Sequence, residues 1–247
     1  MISSGARHTC LIVGAGVGLG SALARAFAAL ELEVCLTRRS RHFGEAQALA
    51  DSIRKSGGRA HAFGVDARLE TETVALFEHI ERDIGPLDVV VFNIGANVRF
   101  PIAQTTSRVF TKVWEMACFA GFLAGREAAK AMLPRGCGTI LFTGATASLR
   151  GGAGFAAFAA AKHGLRALAQ SMARELGPKG IHVAHVVIDG AMDGAFVRAN
   201  RSNVEEMLVA EEILKPEAVA DNFVLLHQQP RSAWTHELDL RPWKEPW

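Results

Sequence analysis

Short apolar runs separated by amphipathic stretches recur along most of the chain. Residues 89–92 and 139–143 are almost continuously apolar, as in strands that are covered on both faces. The intervening stretches, such as 42–56 and 70–84, have helical spacing and end at turn residues. This alternation predicts a doubly wound parallel β-sheet of about seven strands in a three-layer α/β fold. The other predicted strands are 11–13, 33–37, 60–65, 182–188 and 234–240.

A glycine-rich stretch follows the first predicted strand and leads into small and apolar residues typical of a helix. Glycines at these positions allow a tight turn and a close approach of the backbone to a ligand, and the helix N-terminus offers free N–H groups to a phosphate. The pattern predicts a dinucleotide site, although an ordinary tight turn would also explain a glycine-rich loop. The predicted cofactor-binding residues here are Gly14, Gly16, Val17, Gly18, Leu19 and Gly20.

Composition narrows the class of protein. With 247 residues, 49% of them hydrophobic, the chain is expected to form one domain over 1–247. Its net charge of +2 is spread evenly, so neither nucleic acid nor a membrane surface is an expected partner. The first residues lack the pattern of a signal peptide, which favours a cytoplasmic protein. The four cysteines, Cys10, Cys35, Cys118 and Cys137, are too scattered for a metal site and are expected to be buried, reduced thiols.

The residues after each predicted strand converge on one end of a parallel sheet. After the second strand, Arg38 and Arg39 stand where a carboxylate for the ribose hydroxyls of NAD(H) is usual. Forked guanidinium donors suit a 2′-phosphate, which favours NADP(H) over NAD(H), with a solvated basic loop as the alternative. After the third strand, Asp66 is placed either to accept from an adenine amine or to cap a helix, and Ala67 follows it. After the fourth, Asn93 and Gly95 complete the predicted cofactor site.

From about residue 9 to 189, these motifs resemble the short-chain dehydrogenase/reductase family. The resemblance rests on the glycine pattern 14–20, on Asp66, on Asn93-x-Gly95-Ala96 and on the segment 158–162 that ends in Lys162. It implies a single-domain Rossmann-type fold and a nicotinamide cofactor. It also implies a small-molecule substrate and a homodimer or homotetramer built on the long helices.

The chain departs from the family's catalytic pattern, which is a Tyr-x-x-x-Lys pair, a serine thirteen residues before the Tyr, and an Asn in the preceding long helix. Phe158 stands at the Tyr position, Ala145 at the Ser position and Cys118 at the Asn position. Lys162 is retained, and by the resemblance it is also a cofactor-binding residue whose ammonium can hydrogen-bond the ribose hydroxyls. The sequence contains no tyrosine at all. A missing general acid lowers a rate by about 10²–10⁴, so ordinary ketone reduction should be impaired.

Replacement proton donors can be sought among nearby residues. Thr146 or Ser148 could substitute for the lost serine through a local shift, and a water held by Lys162 is another route. Asp189 could act as an acid only if burial raised its pKa well above about 3.9; a turn or cap role is the alternative. His163 follows Lys162 by about 100° around the helix and should point away.

Two hypotheses of different class remain. In the first, the protein is an NADP(H)-dependent oxidoreductase acting on a small carbonyl or alcohol by an unusual proton route; in the second, it is a non-catalytic NADP(H)-binding member serving as a sensor or structural partner. Residues 190–215 are expected to form a lid over the cleft. Asn97, Arg99 and Arg150 could bind an anionic or polar substrate at the cleft mouth, or be ordinary surface residues. The Trp-rich tail 241–247 could cover a neighbouring subunit, the cleft or its own domain.

Overall fold

Seven parallel strands form a single sheet in the computed structural model, which describes residues 8–245. The strands are β1 (Thr9–Val13), β2 (Glu33–Arg38), β3 (Arg59–Gly64), β4 (Leu87–Phe92), β5 (Gly138–Thr143), β6 (Ile181–Ile188) and β7 (Glu237–Leu240). Their order across the sheet is β3-β2-β1-β4-β5-β6-β7, and every pairing is parallel. The predicted fold class and strand number are confirmed. The order reverses between β1 and β4, so the residues after these strands border a switch point where ligands bind in such sheets.

Helices cover both faces of the sheet and complete the three layers. They are α1 (Leu19–Ala29), α2 (Phe43–Lys55), α3 (Glu70–His79), α4 (Ser107–Trp114), α5 (Ala120–Met132), α6 (Ala156–Leu176), α7 (Ala195–Asn200), α8 (Val204–Val209) and α9 (Pro216–Gln228). Side chains of α1, α2 and α9, including Phe27 and Phe223, share one core with the sheet, whereas α3, α5 and α6 form the core on the other face. The central strands β1, β4 and β5 are mainly apolar, as expected for strands that are buried on both faces.

Two helices are less regular than their sequences indicate. The predicted helix 70–84 ends as α3 at His79 and continues as a π-turn, Ile80–Ile84. The long helix between β4 and β5 is α4 followed by the π-turn Glu115–Phe119 and then α5. This second π-turn carries Met116 and Cys118, which therefore lie beside the cleft on a locally widened turn.

The last strand is shorter than its predicted range, 234–240. Gln229 holds the residues just before it, since its Oε1 accepts from the Thr235 backbone N–H at 2.7 Å and its main-chain carbonyl accepts from Trp234 Nε1 at 3.2 Å. These bonds compete with the sheet ladder, and β7 begins only at Glu237. Three of the four residues of β7 are half-buried and one is exposed, as expected for a strand at the edge of the sheet.

The chain termini and cysteines complete the comparison with the sequence. Cys10, Cys35 and Cys118 are buried free thiols as expected, but Cys137 is only half-buried because it lies in the turn that precedes β5. The expectation that the chain lacks a signal peptide concerns its first residues, and 1–7 lie outside the described residues. Trp247 of the C-terminal tail also lies outside them. Between 8 and 245, no helix is both long enough and apolar enough to span a bilayer.

Candidate cofactor and active site

The glycine loop between β1 and α1 approaches the end of β4 too closely for side chains. Gly14 has φ +98°, and a Cβ added to it would lie 2.9 Å from the carbonyl oxygen of Asn93. A Cβ on Gly20 would lie 2.7 Å from the Gly14 carbonyl oxygen. Gly18, with φ +92°, precedes α1 and leaves the first N–H groups of that helix without a side-chain cap. The loop thus has the shape and the free donors that a phosphate needs.

Two other predicted loop residues contribute through their backbone. The Val17 side chain is 83% exposed, and Leu19 is buried in the core beneath α1. Gly16 leaves room for the guanidinium of Arg38, which lies against it. A side chain at Gly16 would therefore displace Arg38 from the loop.

A basic pocket lies beyond the ends of β2, β3 and β4. Arg39 forms no salt bridge within residues 8–245, and burial and the charges of Arg41, Arg68 and Arg38 lower its pKa, although the charge of Asp66 acts in the opposite direction. An unpaired cation among cations is a favourable place for an anion. Residues lining this pocket include Gly14, Thr37, Arg38, Arg39, His42, Val65, Asp66, Ala67, Arg68, Asn93, Ile94, Gly95 and Met116.

Asp66 is engaged by a neighbour that the sequence did not single out. Arg68 Nε donates to Asp66 Oδ1 at 2.9 Å, and the Arg68 backbone N–H also donates to that oxygen at 3.2 Å. The hydrogen bond from the Arg68 side chain is the main reason that the pKa of Asp66 is lowered. Asp66 does not cap a helix, since α3 begins at Glu70 with Leu69 before it. The Asp66 carboxylate nonetheless remains at the pocket wall, where Ala67 also lies.

Asn93 and Gly95 both line the pocket, as the sequence predicts, but they have different structural roles. Asn93 Nδ2 donates to the Gly14 carbonyl oxygen at 3.1 Å, which ties the end of β4 to the glycine loop. A Cβ on Gly95 would meet no atom within 4 Å. Gly95 therefore leaves open space at the pocket wall, while Asn93 supports the loop.

Lys162 and Phe158 lie one turn apart on α6 and face the same apolar cluster. The Lys162 side chain is almost fully buried, and Nζ donates to the backbone carbonyls of Thr143 at 2.8 Å and Ile94 at 3.2 Å. Burial lowers the pKa of Lys162 to about 8, although the nearby Cys118 acts in the opposite direction. Nζ lies 5.9 Å from the centroid of the Phe158 ring. An ammonium has three N–H donors, so one remains for a further acceptor.

The hydroxyls near Ala145 are committed to protein acceptors and donors. Ser148 is buried, and its Oγ accepts from the Ala145 backbone N–H at 3.1 Å. Thr146 Oγ1 donates to Asp189 Oδ1 at 2.7 Å. Neither hydroxyl takes the place of the serine that the family resemblance implies at position 145.

Asp189 is a fully buried carboxylate shared by three side chains, two from the loop after β5 and one from the C-terminal tail. Besides Thr146, Arg150 donates to it through both terminal nitrogens at 3.0 Å, and Arg241 Nη2 donates to it at 2.6 Å. Burial alone would raise the pKa of Asp189, but the hydrogen bonds from Thr146 and Arg150 and the charges of both arginines outweigh it and lower that pKa. The condition set for a replacement acid is a raised pKa, and it is not met. Asp189 is an ionised carboxylate that binds Thr146, Arg150 and Arg241, and it does not serve as a turn or cap residue.

The remaining predicted residues lie at the surface of the cleft region. Asn97, Arg99 and Arg150 are exposed, with Arg99 placed over the ring of Phe155 at 5.9 Å. His163 is exposed and its Nδ1 faces the Ala159 carbonyl oxygen at 2.9 Å, so it points away from the cleft as expected.

A buried histidine beneath the site was missed by sequence reasoning. His185 on β6 is 0% exposed, and its Nδ1 donates to Glu237 Oε2 at 3.1 Å. Arg166 holds the same carboxylate through two hydrogen bonds, at 2.6 and 2.7 Å. Burial lowers the pKa of His185 to about 4 despite the favourable charge of Glu237. The mainly apolar sequence of β6 predicts burial here, but nothing local to position 185 indicates a partner 52 residues away.

Comparisons with known proteins agree with this arrangement. A model of the family described as short chain dehydrogenase matches residues 8–205. The 3-oxoacyl-[acyl-carrier-protein] reductase MabA of Mycobacterium avium is 31% identical over 195 residues, which cover 78% of this chain and 70% of that protein. A crystal structure of a short-chain dehydrogenase from Rhodopseudomonas palustris is 48% identical with a TM-score of 0.82, covering 96% of this chain and 99% of that one.

A ligand-bound structure shares the fold as well. An actinorhodin polyketide ketoreductase variant with NADPH is 25% identical, has a TM-score of 0.85 and covers 96% of both chains. Together with the strand order and the glycine loop, the family match over more than three quarters of the sequence places this chain plainly: it belongs to the short-chain dehydrogenase/reductase family of oxidoreductases.

Proposed function

We propose that this protein is an NADP(H)-dependent oxidoreductase that acts on a small carbonyl or alcohol and uses Lys162, through a water molecule, in place of the family's tyrosine. The observation that carries the proposal is the buried Lys162 ammonium, which has a pKa of about 8 and two of its donors bound to the ends of β4 and β5. A group whose pKa lies near the working pH is well suited to general acid–base chemistry.

The residues of the pocket fit the cofactor. NADP(H), when bound, supplies or accepts the hydride. The glycine loop has no room for side chains at Gly14 and Gly20, and the α1 N-terminus has free donors for a pyrophosphate. Arg39, without a salt-bridge partner among the described residues, suits a 2′-phosphate, and Arg38 lies beside it at the pocket wall. The NADPH of the ketoreductase structure and the NADP of a metagenomic relative, which is 26% identical with a TM-score of 0.79, support this choice.

The proton route follows from which groups hold an available proton. Thr146 donates its proton to Asp189, and Asp189 is held ionised by its arginines. Phe158 has no proton to give, and Ser148 is fully buried with its Oγ held by the Ala145 backbone N–H, so we take Lys162 as the donor. In reduction, a water bound to the third N–H of Lys162 protonates the substrate oxygen, Lys162 gives its proton to that water, and solvent reprotonates the lysine. In oxidation the same transfers run in reverse.

A pH–rate profile on a panel of aldehydes and ketones tests this route. Because protonated Lys162 is the acid, the rate of carbonyl reduction should fall as pH rises through about 8, and the rate of alcohol oxidation should rise over the same range. Lys162→Met should abolish this titration. The double variant Ala145→Ser/Phe158→Tyr restores the family's residues and should raise reductase activity by about 10²-fold. NADPH binding without turnover on any substrate, or a rate independent of pH around 8, would refute the route.

We also propose that residues 190–215 form the substrate lid within one domain. α7 and α8 occupy this range, and Val204, Met207 and Ile213 pack into a small cluster of their own. The Asp193 carbonyl oxygen lies 3.6 Å from the position of a Cβ on Gly18, so the segment borders the glycine loop. A segment with its own small core beside the cofactor loop can move as a unit.

For assembly, we propose a homodimer or homotetramer that uses the face of α4 and α5. Phe110, Trp114 and Phe122 on this face are 38–41% exposed, and Phe119 stacks between the last two with ring centroids 5.7 and 6.0 Å apart. Exposed stacked aromatics are typical of interface cores. Sedimentation should show a dimer or larger species, and Trp114→Lys should shift it towards monomer.

A further inference from the structure

Glu45 holds two side chains of the cofactor pocket from behind. Its Oε2 accepts a hydrogen bond from Arg38 Nη2 at 2.7 Å, and its Oε1 accepts one from His42 Nδ1 at 2.9 Å. Arg38 and His42 both line the pocket, whereas the Glu45 carboxylate lies on the first turn of α2. One carboxylate thus connects the end of β2, the turn after it and the start of α2.

Arg38 is held at both sides of its guanidinium. Glu45 takes Nη2, while Nη1 lies against Gly16 in the glycine loop. The side chain therefore spans the distance from α2 to the loop, and it leaves donors of its five N–H groups for another acceptor. A long side chain that is already ordered loses less conformational entropy when a ligand binds.

We propose that Glu45 is a positioning residue for the cofactor's 2′-phosphate: by fixing Arg38 across the glycine loop, it sets the preference for NADP(H) over NAD(H). The inference rests on the proposed function. We expect Glu45 to strengthen NADP(H) binding. It bonds a single nitrogen of Arg38, so it orients the guanidinium and leaves the other donors available. The other oxygen of the same carboxylate orients the His42 ring.

Fluorescence titration of the full chain with NADPH and with NADH tests the proposal. Glu45→Ala should weaken NADPH binding about three- to tenfold, the usual effect of freeing one long side chain, and should change NADH binding less than about twofold. Glu45→Gln retains an amide oxygen that accepts from Arg38, so it should recover most of the lost NADPH affinity. Glu175→Ala removes an exposed helix ion pair with Lys179 far along the chain on α6, and it should leave both affinities unchanged.

Each outcome has a defined meaning. A wild-type protein that does not prefer NADPH overturns the proposed cofactor choice, and with it the role of Glu45. A wild-type preference that Glu45→Ala leaves intact overturns the positioning role alone. Tighter NADPH binding in both Glu45→Ala and Glu45→Gln would show that the carboxylate repels the phosphate, which also overturns it. Equal weakening of NADPH and NADH by Glu45→Ala would indicate a structural role for α2 only.

Discussion

Acid should destabilise this protein in part through a buried histidine, His185, because burial lowers the pKa of this ring, as it does for His182 and His227. The ring lies on β6, between β5 and the edge strand β7, where its Nδ1–H donates to Glu237 and its Nε2 has no hydrogen-bond partner within residues 8–245. A proton on Nε2 would be buried without an acceptor. For this reason the folded protein keeps the ring neutral, and the pKa of His185 falls from 6.5 to about 4.

The sign and size of the effect follow from linkage. Because the folded pKa is depressed, the unfolded chain binds the proton more readily, so the stabilising contribution is fully present above about pH 6.5 and is lost as pH falls towards about 4. Each pKa unit corresponds to about 1.4 kcal/mol, and the full shift to about 3.4 kcal/mol. Between about pH 7 and about pH 4.5, His185 should remove about 2.4 kcal/mol from the free energy of unfolding.

The variant His185→Asn isolates this contribution. Asn cannot titrate and its side-chain amide can still donate towards Glu237, while the cost of its smaller volume is the same at every pH. Urea unfolding at both pH values should therefore show a fall in stability that is about 2.4 kcal/mol smaller in the variant than in the wild type. The exposed His163→Asn should leave the wild-type fall unchanged. If His185→Asn and the wild type lose the same stability, burial does not keep His185 neutral and the reasoning is wrong.

Two further predictions concern the neighbours of this site. Asp189→Asn leaves Arg150 and Arg241 without their buried counter-charge. It should lower the free energy of unfolding, measured by urea denaturation, by about 3 kcal/mol. A loss of reductase activity with unchanged stability would instead indicate that Asp189 is the acid. Gly144→Ala places a Cβ 2.5 Å from His185 Nε2 and 3.0 Å from the Val186 carbonyl oxygen. In thermal unfolding, this variant should lose about 1–3 kcal/mol of stability. In the control Gly177→Ala, the added Cβ meets no atom within 4 Å, so that clash should be absent.

The sequence predicts the fold well because its signals are local. Apolar runs of strand length and helical spacing between them are properties of adjacent residues, and they locate all seven strands. The glycine loop is equally local, since Gly14 and Gly20 are required by contacts at the turn itself. End-of-strand residues such as Arg39 then follow from the rule that ligands collect at the carboxyl ends of parallel strands.

The chemistry of the site depends on contacts between distant positions, which composition and spacing do not reveal. Asp189 looks like a candidate acid in sequence, and Arg241, 52 residues further on, is one of the groups that keep it ionised. His185 likewise depends on Glu237 and on Arg166. Arg68 is close to Asp66 along the chain, and a basic residue two positions after an acid at a strand end was a signal that could have been used.

The departures from the family pattern and the proposed proton route have a common physical origin. The Lys162 Nζ lies 5.9 Å from the Phe158 ring centroid, beside an apolar cluster that includes Ala147 and Cys118, and among the described residues it donates to two backbone carbonyls. Hydroxyls at positions 145 and 158 would solvate that charge, whereas Phe and Ala leave burial as the largest influence on it and lower its pKa to about 8. On the proposed route, Ala145 and Phe158 would thus keep the lysine proton in the range where it can be exchanged near neutral pH. In the Ala145→Ser/Phe158→Tyr variant, the tyrosine should take over the acid role while the added hydroxyls raise the pKa of Lys162.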